Sequence, residues 1–368
     1  MIYTNIICIN RKKIVLLQVF MKDNLQITTA DFNVESKVIE LMRFPLAVLV
    51  VFVHTPRQTG ILIEWIWSDA IASMAVPVFF VLSGFLYFHN INHPNRPQEW
   101  YVHKTVSRIR SIVIPYLFWA LLPVIIFCIR KIVGMIIHWH GPEMLFDGLS
   151  RLNFYHILWE SGNGGPENLP LWFLRDLLVV NIFTPPLYYF LKHLKYCSLP
   201  LLLFASIFNL WIPWPGFSAT VTFFFSLGAW CSIHKVSMFQ LGKFLFLPSA
   251  VLSIIGIILL YFKIIPLFIF NVIALPLYMY GMWLLFSKKS IKPMPIITKA
   301  TMFIYVAHGN LIAHPNVWKL VQNILPSNMI GELIGYFIIP TLTIMVLIFT
   351  HWGLRRIAPR TMNIICGR

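Results

Sequence analysis

Charge is what this sequence has least of. Only 11% of its 368 residues are charged, and Asp and Glu together number 13 against 29 Lys and Arg. A water-soluble chain of this size needs far more polar surface to cover its core, so a soluble fold is excluded. The five cysteines (Cys8, Cys128, Cys197, Cys231, Cys366) are scattered and form no CxxC pair, which predicts neither a disulfide framework nor a structural metal site. No HExxH occurs, and His89 and His93 in HNINH run into Pro94, so they read as a wet loop end and no metal is expected. There is no GxGxxG or Walker loop to cradle phosphate with backbone N–H groups. No small-residue cleavage site follows residues 1–20, so a signal peptide is not expected and Met21 is a candidate start. The two halves share no matching interrupted helices, which weakens an alternating-access transporter reading.

What is present is apolar sequence: 58% hydrophobic residues, 15% aromatic, mean hydropathy +0.75. Runs of near-spanning length lie at about 39–54, 70–88, 111–129, 170–191, 197–212, 217–234, 244–262, 264–287, 300–318 and 329–352. They predict an all-α membrane protein, a polytopic bundle of about ten transmembrane helices. The fifth and sixth are short enough to be re-entrant. Residues 1–34 read as a poorly ordered extension, 35–355 as the membrane domain and 356–368 as a cytoplasmic tail. The connection over 130–169, with HWHGPEM and ESGNGGPENLP, is long enough to suggest lidding or binding, although for most of its residues a solvated loop with a short interfacial helix carrying Trp139, Phe154, Tyr155 and Trp159 is the preferred reading.

The net charge of +16 does not point to nucleic acid, because the basic residues are sorted by loop. With a cytoplasmic N-terminus, Arg57, Arg130, Lys131, Arg151, Lys263 and Lys319 fall outside and Arg43 and Arg175 within apolar runs. All the rest fall inside. This is the positive-inside pattern of a multi-pass protein of a bacterial-type inner membrane with both termini cytoplasmic.

Ionisable residues within apolar runs are costly and mark sites. In LMRFPLAVLVVFVHT, Arg43 and His54 lie roughly 16 Å apart along one helix at about 1.5 Å per residue. Arg43 falls near the inner end and His54 toward the outer end. Arg175 and Asp176 follow Pro170 in the fourth run, and His308 and Asn310 lie in the ninth. At about 100° per residue, Arg175 and Asp176 are expected to face different partners.

Five pieces in order, LMRFPLAVLVVFVHT, VPVFFVLSGFLYF, KTVSRIRSIVIPYLFW, LPLWFLRDLLVV and TMFIYVAHGN, resemble the acyltransferase 3 family of integral membrane acyltransferases. The resemblance covers about residues 35–355. It implies transfer of an acyl group, most simply acetyl from acetyl-CoA, to a hydroxyl of a surface glycan or lipid-linked sugar. It also implies that Arg43 and His54, the ends of an R(x10)H motif, are required. The family's RxxR has its nearest match in Lys104, Arg108 and Arg110, which departs from that spacing.

The residues support the same chemistry independently. A sugar hydroxyl needs a base of near-neutral pKa, and His54 suits it. Asp176 would fix the histidine's tautomer as in a catalytic triad, or else simply pair with an arginine. Arg43, Lys104, Arg108 and Arg110 form a basic set for the phosphates of CoA. Trp172, Arg175, His308 and Asn310 are the acceptor-side candidates, with helix contacts as their alternative reading. Glu40 is an ion-pair neighbour for Arg43, and Ser83-Gly84 a close helix contact. A transporter or flippase for an amphipathic or anionic substrate is the competing class, followed by a scaffold without chemistry.

Overall fold

The computed structural model describes residues 25, 29–57, 61–89, 97–136, 153–162, 164–288, 290–312, 323–326 and 328–367. Helix α1 (Thr29–Val53) is followed by α2 (Leu62–Phe88), which passes through a π segment and a 3-10 turn before its regular part Ala75–Phe88. Helix α3 (Tyr101–Gly134) contains a second π segment, Ile109–Val113, just before Pro115. That proline has no N–H to give to the Ser111 carbonyl, and the widened turn accommodates its ring.

The run at 170–191 is not one helix. It divides at Phe183 into α4 (Trp172–Ile182) and α5 (Thr184–Leu194), because Pro185 and Pro186 at the first positions of α5 cannot continue a helix entering from α4. Helix α5 joins α6 (Ser198–Ile207) through a 3-10 turn, so the spanning segment is Thr184–Ile207. Then come α7 (Ala219–Ile233), α8 (Met238–Tyr261), α9 (Leu267–Phe286), α10 (Pro295–Ile312), α11 (Met329–Ile357) and the short α12 (Pro359–Ile365).

The protein is a helical membrane protein, but the expected count of ten spans is not reproduced. Among the described residues six helices are long and apolar enough to cross a bilayer: α2, α3, the α5–α6 unit, α8, α9 and α11. Helix α1 carries Lys37, Glu40 and Arg43 in its last 18 residues, and α4 and α7 are short. These helices are shielded by neighbours: Met42, Leu46, Val50 and Val51 of α1 and Phe224, Phe225 and Ala229 of α7 are buried.

Two contacts set the packing. A Cβ on Gly84 of α2 would strike the Phe225 carbonyl of α7, and one on Gly228 of α7 would strike the Val81 carbonyl of α2. Each glycine thus admits the other helix's backbone, the small-residue contact expected at Ser83-Gly84. In the α8–α9 pair, Ser249 accepts from the Leu277 N–H at 3.2 Å and donates to the Ile273 carbonyl at 2.6 Å. Its hydroxyl therefore ties α8 to the Ile273 carbonyl and the Leu277 N–H of α9 beside Pro276. Beyond α11 the expected tail turns back. Met362, Ile365 and Cys366 are buried, and Trp119 of α3 donates through Nε1 to the Ile365 carbonyl at 3.0 Å.

Candidate functional site

Helix α1 ends at Val53, and the next residue folds onto its last turn: His54 Nδ1 lies 2.9 Å from the Val50 carbonyl. A carbonyl only accepts, so Nδ1 carries the proton and Nε2 presents a lone pair. Helix α10 packs on α1 and sets His308 beside it, ring centroids 5.1 Å apart and tilted 63°. His308 is fully buried, with Nδ1 2.7 Å from the Tyr305 carbonyl and 3.2 Å from that of Ile304. It holds the same tautomer by the same device. Among the described residues its Nε2 has no hydrogen-bond partner.

Of the two roles open to Asp176, the geometry shows the pairing with an arginine. The acceptor that fixes the His54 tautomer is a backbone carbonyl of its own helix, while Asp176 Oδ1 takes the Arg175 guanidinium at 2.9 Å. The neighbours Arg175 and Asp176 pair with each other after all, because the long arginine side chain folds back over the short carboxylate.

Arg175 is committed elsewhere as well. It donates to the carbonyls of Trp159 at 2.6 Å and Gly164 at 2.9 Å and approaches Glu160 Oε2 at 3.4 Å. Glu160 Oε1 in turn accepts the N–H groups of Gly162 and Gly164, whose positive φ angles of 93° and 83° suit glycine. Arg175, 2% exposed, is therefore a staple that holds the 159–164 loop on α4. Trp172, at the start of α4, is partly exposed and leans on Phe80. The side chain of Asn310 and residues 137–152 of the long connection lie outside the described residues.

The basic set resolves into two members that share a cavity, Arg43 and Arg108, and two, Lys104 and Arg110, that are not part of its lining. Arg43 and Arg108 line a cavity of about 290 Å³, near the lower end of small-molecule pockets at roughly 300 Å³. Arg43 is solvent-exposed within it, and Glu40 is the carboxylate acting on it. Arg108 also stacks over Tyr87, 5.5 Å from the ring centroid. Lys104 sits one turn earlier, 3.5 Å from the Leu86 carbonyl. Arg110 is exposed and is not among the cavity residues, since two positions on from Arg108 turn its side chain about 200° away.

Apolar walls from Phe79, Leu82 and Leu86 of α2 and Phe173, Leu174 and Leu177 of α4 enclose the space beside the arginines. Ser83, Ser111, Thr298 and Thr301 add hydroxyls, and Tyr305 forms the wall nearest the histidines, its ring 6.3 Å from that of His308. The Tyr305 hydroxyl donates to the Pro170 carbonyl. Thr298, Thr301, Tyr305 and His308 recur at helical spacing along one face of α10. That stripe was available in the sequence as a signal for Tyr305 and Thr301, which inspection of isolated ionisable residues missed. Cys366 and Gly367 complete the wall beside Ser111. No local signal links the chain's end to this cavity.

A family model described as an acyltransferase domain, acyltransferase 3, matches residues 37–352, from the charged part of α1 nearly to the end of α11. The chain belongs to the acyltransferase 3 family. Among curated proteins it is similar to the succinoglycan biosynthesis protein ExoH of Rhizobium meliloti (strain 1021), 27% identical over 254 residues. That alignment covers 62% of this chain and 63% of the relative, so it spans less than two thirds of that protein. No solved structure matches. Arg43 and His54 both lie within the matched region, as do Arg108, Arg175 and His308.

Proposed function

We propose that this acyltransferase transfers an acyl group, acetyl in the simplest case, from cytoplasmic acyl-CoA to a hydroxyl of an extracytoplasmic polysaccharide or its lipid-linked precursor. The observation that carries the reading is the cavity with Arg43 and Arg108 at its basic side and Tyr305 beside the histidine pair. The relative's name concerns succinoglycan biosynthesis, which motivates a glycan acceptor.

In this reading Arg43, Arg108 and Lys104 hold the phosphates through charge-assisted hydrogen bonds. The arm bearing the thioester lies along the apolar walls of α2 and α4, passing Ser83 and Thr301. His54 takes the acceptor's proton at Nε2, the nitrogen that the Val50 carbonyl leaves free as a base. Trp172 and the loop stapled by Arg175 receive the sugar from the other side. The sorting of basic residues supports an inner-membrane orientation with both termini cytoplasmic, in which the arginines would lie on the donor's side.

The test is acetyl-CoA turnover by purified protein in lipid across a panel of surface-glycan fragments, native against His54→Ala. Acceptor-dependent CoA release that disappears in the variant supports the reading. Absence of CoA binding would move the transporter reading to the front.

A further inference from the structure

His308 is the buried titratable group whose placement a helix contact does not explain. Its Nε2 is fully enclosed and has no hydrogen-bond partner among the described residues, although an enclosed acceptor is normally satisfied. Its orientation is held at two levels. Nδ1 is tied to the Tyr305 carbonyl, and the Tyr305 hydroxyl is tied to the Pro170 carbonyl at the entry to α4. Gly309 keeps this entry close, since a Cβ there would lie 2.7 Å from Pro170 Cγ. The group so fixed is a lone pair, and the neighbouring ring at 5.1 Å is His54.

We propose that His308 is the positioning partner of the base, its enclosed lone pair stabilising the charge that His54 gains when it takes the acceptor's proton. The inference rests on the acyltransferase reading. When the acceptor oxygen attacks the thioester carbonyl carbon, the new C–O bond forms and the hydroxyl proton passes to His54 Nε2. The imidazolium then has two N–H groups: Nδ1–H stays on the Val50 carbonyl and Nε2–H stays toward the reacting atoms, while the uncharged His308 ring, 5.1 Å away, presents its lone pair to the positive charge. Collapse of the tetrahedral intermediate breaks the C–S bond, and the proton passes from His54 Nε2 to the departing sulfur. The products are the ester and the free thiol, and both histidines end as they began. A neutral partner suits this task, because a cation beside His54 would oppose its protonation. The acidic residue of a conventional triad is thus replaced by two neutral groups, the Val50 carbonyl on Nδ1 and the His308 imidazole beside the ring.

The experiment compares native protein, His308→Leu and His308→Gln in lipid, measuring kcat and the KM for acetyl-CoA with a saturating glycan acceptor. Leu fills similar space without an acceptor, whereas Gln restores one. The expected result is a kcat lowered about 100-fold in the Leu variant with donor KM within about twofold of native, and about tenfold recovery in the Gln variant. Native kcat in the Leu variant, or equal impairment in both, overturns the pairing and leaves the acyltransferase reading standing. Native protein that transfers nothing to any acceptor overturns both. If Leu prevents folding, Met, matched to Gln in length and shape, takes its place in the same comparison and decides it in the same way.

Discussion

Arg43 of α1 and Arg108 of α3 face one cavity from two different helices and act on each other electrostatically. Two guanidinium groups beside an apolar enclosure repel each other, and an anion placed between them relieves that repulsion. Arg43→Ala and Arg108→Ala should each raise the donor KM about 10–100-fold, the loss of one charge-assisted hydrogen bond at roughly 1.5–3 kcal/mol. Arg110→Ala should leave it unchanged. Steady-state kinetics with varied acetyl-CoA checks all three, and an equal effect at Arg110 would refute the assignment.

Arg175 and Asp176 form a buried pair on which the 159–164 loop hangs. Arg175→Met should destabilise the protein by about 3–5 kcal/mol, because Asp176 is left as a buried uncompensated carboxylate. The double variant Arg175→Met/Asp176→Asn should recover part of that loss. Thermal unfolding in detergent gives the stabilities, and limited proteolysis near Gly162 reports release of the loop.

Gly84 and Gly228 meet at the crossing of α2 and α7. Either one replaced by Ala should lower stability by about 1–3 kcal/mol, since the obstructing atom is a backbone carbonyl that cannot rotate aside. Ala at Gly281 or Gly353, where a Cβ meets nothing within 4 Å, should be neutral or stabilising. Thermal midpoints of the four variants decide between these outcomes.

Ser249 bridges the Ile273 carbonyl and the Leu277 N–H of α9. Ser249→Ala leaves the Leu277 N–H and the Ile273 carbonyl without that bridge and should cost about 1–3 kcal/mol. Hydrogen exchange at the Leu277 amide should quicken more than at amides elsewhere in α9. Unchanged protection there would show that the hydroxyl is dispensable.

His89, just beyond α2, stacks face to face on Phe32 with ring centroids 3.5 Å apart, a structural use in keeping with its loop-end reading. Burial first, and Lys104 second, push its pKa below the ordinary histidine value. Its contribution to stability is therefore present above about pH 6.5 and is lost as pH falls through the lowered folded value. His89→Phe should flatten the decline in thermal midpoint between pH 7 and pH 5. A decline as steep as native would show that other groups cause it.

The membrane class, the apolar helices and the pair Arg43 and His54 stood out in the sequence, whereas which of Lys104, Arg108 and Arg110 lines the cavity did not. Bilayer solvation makes long apolar runs unmistakable, and an ionisable residue within one stands out against them. The number of spans was not legible, because mean hydropathy registers apolar length and not whether protein or lipid surrounds it. Helices α1, α4 and α7 differ from the others in charge or length, and only the packed structure shows that their neighbours bury them. The prolines that divide the 170–191 run were visible, but whether they kink or break a helix depends on what packs against the gap.

Pairing was beyond the sequence for a different reason. That Val50, and not Asp176, fixes the tautomer of His54, that Arg175 and Asp176 turn to each other, and that His308 meets His54 all depend on angles and distances between helices. The sequence alone determined that this chain enters a membrane with an arginine and a histidine on one helix. Only the tertiary structure decided their neighbours, because hydrophobicity is a property of each residue whereas a hydrogen bond is a property of where two residues come to rest.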